Sequence, residues 1–560
     1  MNKENRTKMP TASSIFKELD KGTAFNNGIN LSETVKQNEN FFIGKQWEGV
    51  KSNGLPTPVF NSLKRVVLFQ VASILSENIK MQASPLAVSP EQRKLEQTAE
   101  LISNEFDALF ERNKIGSLLR EFMRNAAVDG DGCLYTYWDS EAFSGQLGNG
   151  AIKTEIIENT RVHFGNPCER RVDRQPYILI ESMEMLEEVQ RRGEDKGLSE
   201  QELAAIKPES DEKSQNTAED ERVRVVLKLW KNHDTNTIWA CECCRDVILR
   251  KPWDLKIRLY PITWLNWDYV QECFHGMAMI TGLIPNQIFV NKTYAMVQMS
   301  LMQSAFPKTI FDSTRVEKWT NQVGAAIGVK GGNMNDVAKI LEPAQISPQV
   351  SQFIESTISY TQTFLGATPA AMGDTRPDNT SAIIALQRAS AIPSDLTKQN
   401  LYQSVEDLGN IYVEFMISNY GTRAVRAPTP DLEGLPFQLE GNITEIISFD
   451  FGTLRDTPMS LKLDVGASSY WSEIASMQTL DNLLMQEKID VVDYLERVPG
   501  GYIPKKQELI DKIKRERASL AQPGQQMPGA LEMPESGETP EIPMTAGNSA
   551  LQRKITENPA

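Results

Sequence analysis

Between residues 276 and 306 the chain carries one formal charge, Lys292. The segment is rich in Met, Ala, Ile and Val, yet Gln287, Asn291, Gln298 and Gln303 are spread along it. It is too polar to span a bilayer and too apolar to stand alone in water, so its surface must be covered by the rest of the chain or by further copies. Helical spacing places one helix from about Pro285 or Asn286 to Ser304, ending before Pro307 and roughly 30 Å long at about 1.5 Å per residue. A second starts at Ser347 and Pro348, an N-cap serine followed by proline at the first helical position. It carries Val350, Phe353, Ile354 and Ile358 and ends near Gly366. The two read as a hairpin of matched length. Between them, residues 308–346 read as a compact module: a strand at 309–311, a short helix around 317–322, and a strand with a turn at 327–332.

The punctuated run that follows contains Pro369, Met372, Gly373, Asp374, Arg376, Pro377 and Asp378, and forbids regular structure. A long helix comes next, with Leu401, Val405, Leu408, Tyr412, Phe415 and Met416 on one face. Pro393 is expected to interrupt its earlier section and kink it near Ile392. Residues 449–465 return to strand, and a helical C-terminal region follows with Ile474, Leu480, Leu484, Val491, Leu495 and Ile510.

The first half reads as mixed helix and strand, so the fold class is α+β. Helices are expected over residues 60–78, 95–109 and 115–123. The last is stopped by Gly130 and Gly132, ahead of an alternating strand at 133–138. Further strands are expected at 152–157, 177–182, 223–231, 237–241 and 246–250. Residues 1–29 are polar and read as flexible, 191–222 as an acidic surface loop, and 521–560 as a Pro- and Gly-rich tail that orders only on a partner.

With 560 residues, 40% apolar and 24% charged, the chain is ordinary globular material. Its formal charge of −15 argues against a protein that grips duplex phosphates with surplus Lys and Arg. Six cysteines show no regular framework and no signal segment opens the chain, so synthesis in a reducing cytoplasm is expected.

The enzymatic and metal readings are weak. Cys241, Cys243 and Cys244 are too closely spaced for a finger site and lack a second pair. Asp129 and Asp131 sit among glycines as in a calcium loop, but no closing glutamate follows, and a helix-ending turn is the better reading. His163, His233 and His275 are far apart in sequence, with no Ser or Cys elbow. No cofactor is expected, and the chain is not read as an enzyme. The enzymatic alternative is a metal-dependent nuclease or hydrolase built on Asp129 and Asp131.

Several pieces together resemble the portal proteins of tailed bacteriophages. They are Asn38-Glu39-Asn40-Phe41-Phe42-Ile43-Gly44-Lys45-Gln46-Trp47, Pro58-Val59-Phe60-Asn61, Asp129-Gly130-Asp131-Gly132, Phe164-Gly165-Asn166-Pro167, Tyr260-Pro261-Ile262, the 366–373 loop and Leu480-Asp481-Asn482-Leu483-Leu484. The resemblance lies in their order over most of the chain. It implies a homododecameric ring at one capsid vertex, made in the host cytoplasm and resident in the virion, serving as a channel for packaging and ejection of double-stranded DNA. Implied partners are the large terminase, a head-tail adaptor, and a major capsid or scaffolding protein, with no membrane. The alternatives to that structural ring are a virion-associated metal-dependent nuclease or hydrolase, or another head-completion protein.

The implied regions are a wing (30–275, carrying the acidic insert), stem helices (276–307 and 347–366), a clip (308–346), a channel loop (367–380), a wing helix with strands (381–470) and a crown (471–520). On that likeness Lys292, Met299 and Ile354 belong to the stem and channel. Arg315, Lys318, Trp319 and Lys330 form a docking surface on the clip, with Trp319 equally readable as the clip's own core. Pro369, Met372, Gly373, Asp374, Arg376 and Asp378 form the moving loop around DNA. The low charge of residues 276–306 suggests a neutral or acidic channel lining that avoids holding phosphates.

Overall fold

The computed structural model describes residues 9–75, 79–85, 92–146, 150–208, 221–306, 308–320, 322, 326–341, 348–364, 380–426, 446–456, 459–465, 479–486, 488–498, 506, 509–510 and 512–514. They fall into one unit ending at Trp471 and a second starting at Ser472.

The first unit opens with helices α1 (Ala12–Gly28) and α2 (Leu31–Ile43), where the sequence reading placed a flexible N-terminus over residues 1–29. Thr11 and Ser14 form a capping box on α1, and its buried stripe is short: Ala12, Ile15, Phe16 and Leu19. So narrow a stripe in a polar run gives little periodic signal. Its stability comes from docking on Leu179, Val226, Cys241 and Cys243. Glu18 also pairs with the buried Lys228 at 2.5 Å.

Helix α3 (Ser62–Ile74) is capped by Asn61, whose side chain accepts from Lys64 N at 3.1 Å. Strand β1 (Ile79–Pro85) follows, then α4 (Gln92–Arg112) and α5 (Ile115–Asp129). Gly130 ends α5 at φ +102°, and a Cβ there would lie 2.8 Å from Gly276 O, so the expected glycine stop is met.

Two antiparallel sheets come next. Strands β2 (Asp131–Asp139) and β3 (Ala151–Ile156) join β9 (Ile262–Asn266) in the order β3-β2-β9. Strands β4 (Val162–Phe164), β5 (Tyr177–Met185), β6 (Arg222–Asn232), β7 (Thr237–Cys243) and β8 (Ile248–Asp254) form a meander in chain order. The acidic insert is not all loop: α6 (Leu186–Asp195) and the box-capped α7 (Glu200–Ala205) occupy part of it. Val189, Ile206, Val223, Val225 and Leu249 bury together there, a small core that the charged composition conceals.

Helix α8 (Ile284–Ala305), strands β10 (Thr309–Phe311) and β11 (Ala338–Ile340), and helix α9 (Pro348–Phe364) follow. Helix α10 (Thr380–Phe415) runs on through Pro393, where an interruption was expected. A proline removes one N–H bond and crowds the preceding turn, and a long helix packed over its later turns absorbs that. Leu401, Val405, Leu408, Ile411, Tyr412 and Phe415 bury into the main core, which α2 to α5 and both sheets share. Tyr412 Oη meets Thr154 Oγ1 at 2.7 Å.

Strands β12 (Thr422–Arg426) and β13 (Ile446–Asp450) pair, a 3-10 turn at Phe451–Asp456 follows, and β14 (Met459–Val465) returns to pair with β1. The region read as strand over 449–465 thus holds the end of β13, the 3-10 turn and β14, with the two strands in separate sheets. In the second unit, Val491–Arg497 is a helix starting at Asp490. Tyr494 Oη donates to Asp481 at 2.7 Å, and Leu495, Val498 and Ile510 are buried.

Candidate stem and clip surfaces

Helix α8 starts with proline at its N-terminus and buries Ile284, Gln287, Val290, Asn291 and Ala295. These positions recur every three or four residues, so they make one stripe along the helix. Nothing beyond Ala295 on α8 is buried. Phe289 (44% exposed), Met296 (55%) and Leu301 (61%) face solvent. On α9, Phe353 (58%) and Tyr360 (66%) do the same while Ile354 is buried at 4%. Phe289 and Phe353 meet edge to face at 5.6 Å between ring centres.

That contact joins the second turn of each helix. A hairpin of matched length would bring Phe353 to the last turns of α8, whereas this contact lies near the start of both helices. Of the stem residues singled out from sequence, Lys292 and Met299 are half-buried and Ile354 is packed within the chain. The open apolar positions were missed. Phe289 to Met296 and Phe353 to Tyr360 each return to one helical face after seven residues, but so do the buried Ile354 and Thr361, so the spacing does not mark them.

The module at 308–341 is a two-stranded sheet, β10 on β11, closed by Asp312 N to Val337 O (2.9 Å) and Leu341 N to Lys308 O (2.9 Å). A helix was expected around 317–322 and a strand at 327–332. Instead there is a turn at 313–315, and the partner strand lies at Ala338–Ile340. Phe311 and Trp319 stack at 5.4 Å, and Val316 and Val337 of the same module are buried, so Trp319 belongs to the module's own packing.

Arg315 pairs with Asp312 at 3.4 Å, and Lys330 pairs with Glu317. Hydrogen bonds from Thr314 hold the Asp312 carboxyl below the usual range. Lys318 is exposed. Arg315, Lys318 and Lys330 thus share one small module, two of them in surface ion pairs. The loop residues Pro369, Met372, Gly373, Asp374, Arg376 and Asp378 lie outside the described residues.

The residues behind the enzymatic alternative are committed elsewhere. Asp131 is buried, and its carboxylate takes His275 Nδ1 (2.7 Å), Asn266 Nδ2 (2.7 Å), Gly276 N (2.7 Å) and Asn159 Nδ2 (3.2 Å). Both oxygens are occupied by the fold, which leaves little for a metal ion. His163 and His275, distant in sequence, are joined through Asn26 at 3.4 and 3.3 Å. That chain contains no hydroxyl or thiol nucleophile among its hydrogen-bonded members. Cys241 and Cys243 pack under α1 while Cys244 belongs to the α6–α7 core. Burial pushes the Cys241 thiol up to about 11 and raises Cys243 further, so neither is a ready thiolate. Among the described residues no cluster of three or more His, Cys, Asp or Glu is placed to hold a metal.

The helical pair with its open apolar side chains is thus interrupted by a small two-stranded module and follows the α+β body. The family model for Phage P22-like portal protein matches residues 181–427, from within β5 to just past β12, and supports a phage portal protein. Most motifs that carry the resemblance in sequence, from Asn38 to Pro167 and at Leu480, lie outside that span, so the two lines are largely independent. No curated protein matches. No helix among the described residues is long and apolar enough to cross a membrane.

Proposed function

We propose that copies of this chain form a ring at one capsid vertex, through which double-stranded DNA passes during packaging and ejection. The observation that carries the reading is the open apolar face of α8 and α9, which a single chain leaves uncovered. In the ring α8 and α9 form the stem. Residues 308–346 form the clip, which meets the large terminase and later the head-tail adaptor. The loop at 367–380 lies along the DNA path, where Asp374 and Asp378 offset Arg376. Contacts with capsid or scaffolding protein fall to the wing. Twelve copies is the number the family likeness implies.

A charge-poor lining suits passage because a duplex carries a phosphate charge per about 1.7 Å of axis, and a basic wall would hold it by counterion release. Lys292 is the only formal charge on α8. Sizing with mass measurement and negative-stain imaging of the full chain test the reading. Closed rings without salt-sensitive binding to random duplex support it; a monomer, or tight duplex binding that salt abolishes, overturns it.

A further inference from the structure

Three amide side chains that no part of that reading uses form one buried hydrogen-bonded ladder between α8 and the segment running from α2 to α3. Gln287 Nε2 donates to Phe60 O (2.6 Å) and to Asn291 Oδ1 (2.9 Å), while its Oε1 accepts from Ser62 Oγ (2.7 Å). Asn291 Oδ1 also accepts from Phe60 N at 3.3 Å, and its Nδ2 donates to Gln46 Oε1 at 2.7 Å. Gln46 Nε2 in turn reaches Phe41 O at 3.1 Å. Gln46, Gln287 and Asn291 are all buried.

The cheap way to bury a helix stripe is with apolar side chains, which slide and rotate over a core with little penalty. Amides do not: a shift of one rung leaves several buried donors and acceptors unpaired together. Gln287 and Asn291 are one turn apart on the same face, so their bonds fix both the rotation of α8 about its axis and its position along it. They also lie in the first half of the helix, and no residue beyond Ala295 is buried. Helix α8 is therefore held at one end and free to swing at the other.

We infer that Gln46, Gln287 and Asn291 are positioning residues that set the angle at which α8 leaves the body of the chain, and so the line of the stem wall. The functional consequence rests on the ring reading; the geometry does not. Spin labels at Gln37→Cys and Ser304→Cys, in a Cys168→Ser, Cys273→Ser background, report the body-to-helix-end distance within one chain. Labelled chain is diluted so that no assembly holds two labelled copies, which makes the measurement independent of whether rings form.

Asn291→Leu and Gln46→Leu are expected to widen that distance distribution at least twofold. Leu119→Ala, a core truncation in α5, is expected to lower the melting temperature while leaving the distribution unchanged. Gln46→Met, which removes only the last rung, serves if the others fold poorly, and should widen the distribution less than Asn291→Leu but measurably. Distributions no wider in the ladder variants than in Leu119→Ala at equal loss of melting temperature overturn the inference. Ring loss with a widened distribution leaves it standing.

Discussion

Helices α5 and α8 bury different mixtures: α8 hides Gln287 and Asn291 beside Ile284, Val290 and Ala295. Every residue that α5 hides from Ile115 to Val128 is apolar, and it packs between α2, α3 and β2 within one chain. Helix α8 hides two amides and exposes Phe289, Met296 and Leu301. The first pattern belongs to an element finished on folding. On the proposed ring, the second belongs to an element oriented by directional bonds whose apolar area a neighbouring copy would cover.

The largest effect should come from the finished helix. Phe122 is fully buried, and its ring and carbonyl leave no room for a Cβ at Gly132, with 2.7 Å the nearest approach. Phe122→Ala is expected to destabilise the unit by about 3–5 kcal/mol, read from chemical denaturation whatever the state of assembly. A loss below about 1 kcal/mol would mean that α5 is no more self-sufficient than α8.

Phe353→Asp attacks the unfinished surface. Its ring touches Phe289 but is mostly open, so the chain alone should lose only about 0.5–1.5 kcal/mol. A charge placed where copies meet costs on the order of 3–5 kcal/mol per interface when it is left unpaired, so rings should disappear from sizing. Ile354→Asp should behave differently and destabilise the chain itself, because Ile354 is already buried without a partner. Normal ring yield from Phe353→Asp would remove the contrast between the two helices.

Much of the body was legible. Four strands of the five-stranded meander, from Tyr177 to Asp254, show alternation between marked turns, and their observed bounds lie within a few residues of expectation; the three-residue β4 was not read. Helix α1 was not legible, since four apolar side chains in a polar run acquire meaning only when Leu179 and Val226 lie beneath them. Strand β11 was missed because Ala338-Lys339-Ile340 is too short to alternate. At the stem the helices were legible from proline placement and low charge, but which apolar residues stay open was not. Met299 and Ile354 are as apolar as Met296 and Phe353, and only packing tells them apart.

Asp129, at the C-terminal end of α5, tests how complete that helix is. Burial pushes its carboxyl up to about 7, with Glu39, Glu158 and Asp131 adding and Arg124 opposing. A raised folded-state value means that the folded chain holds the proton more tightly than the unfolded one. The associated stability is present at low pH and lost as pH rises from about 4 through about 7. Asp129→Asn should therefore gain about 1–2 kcal/mol at pH 8, allowing for solvent screening, and flatten the profile between pH 4 and 7. An unchanged slope would show that Asp129 titrates normally and that α5 ends in water.

The smallest stability effect, and the sharpest separation of docking from assembly, is expected at the clip. Arg315 and Lys318 lie on a module whose strands and Phe311–Trp319 stack do not depend on them. Reversing both to Glu breaks one surface ion pair, Arg315 to Asp312, worth about 0–1 kcal/mol, and sets like charges beside it. Ring yield and melting temperature should stay close to those of the parent. A terminase that meets this module through complementary charge would lose on-rate first, so its association should slow several-fold at low salt and less at high salt. Parental association at both salt concentrations would place the terminase contact elsewhere on the chain. Loss of rings would mean that the module, like α8, is completed by a neighbouring copy.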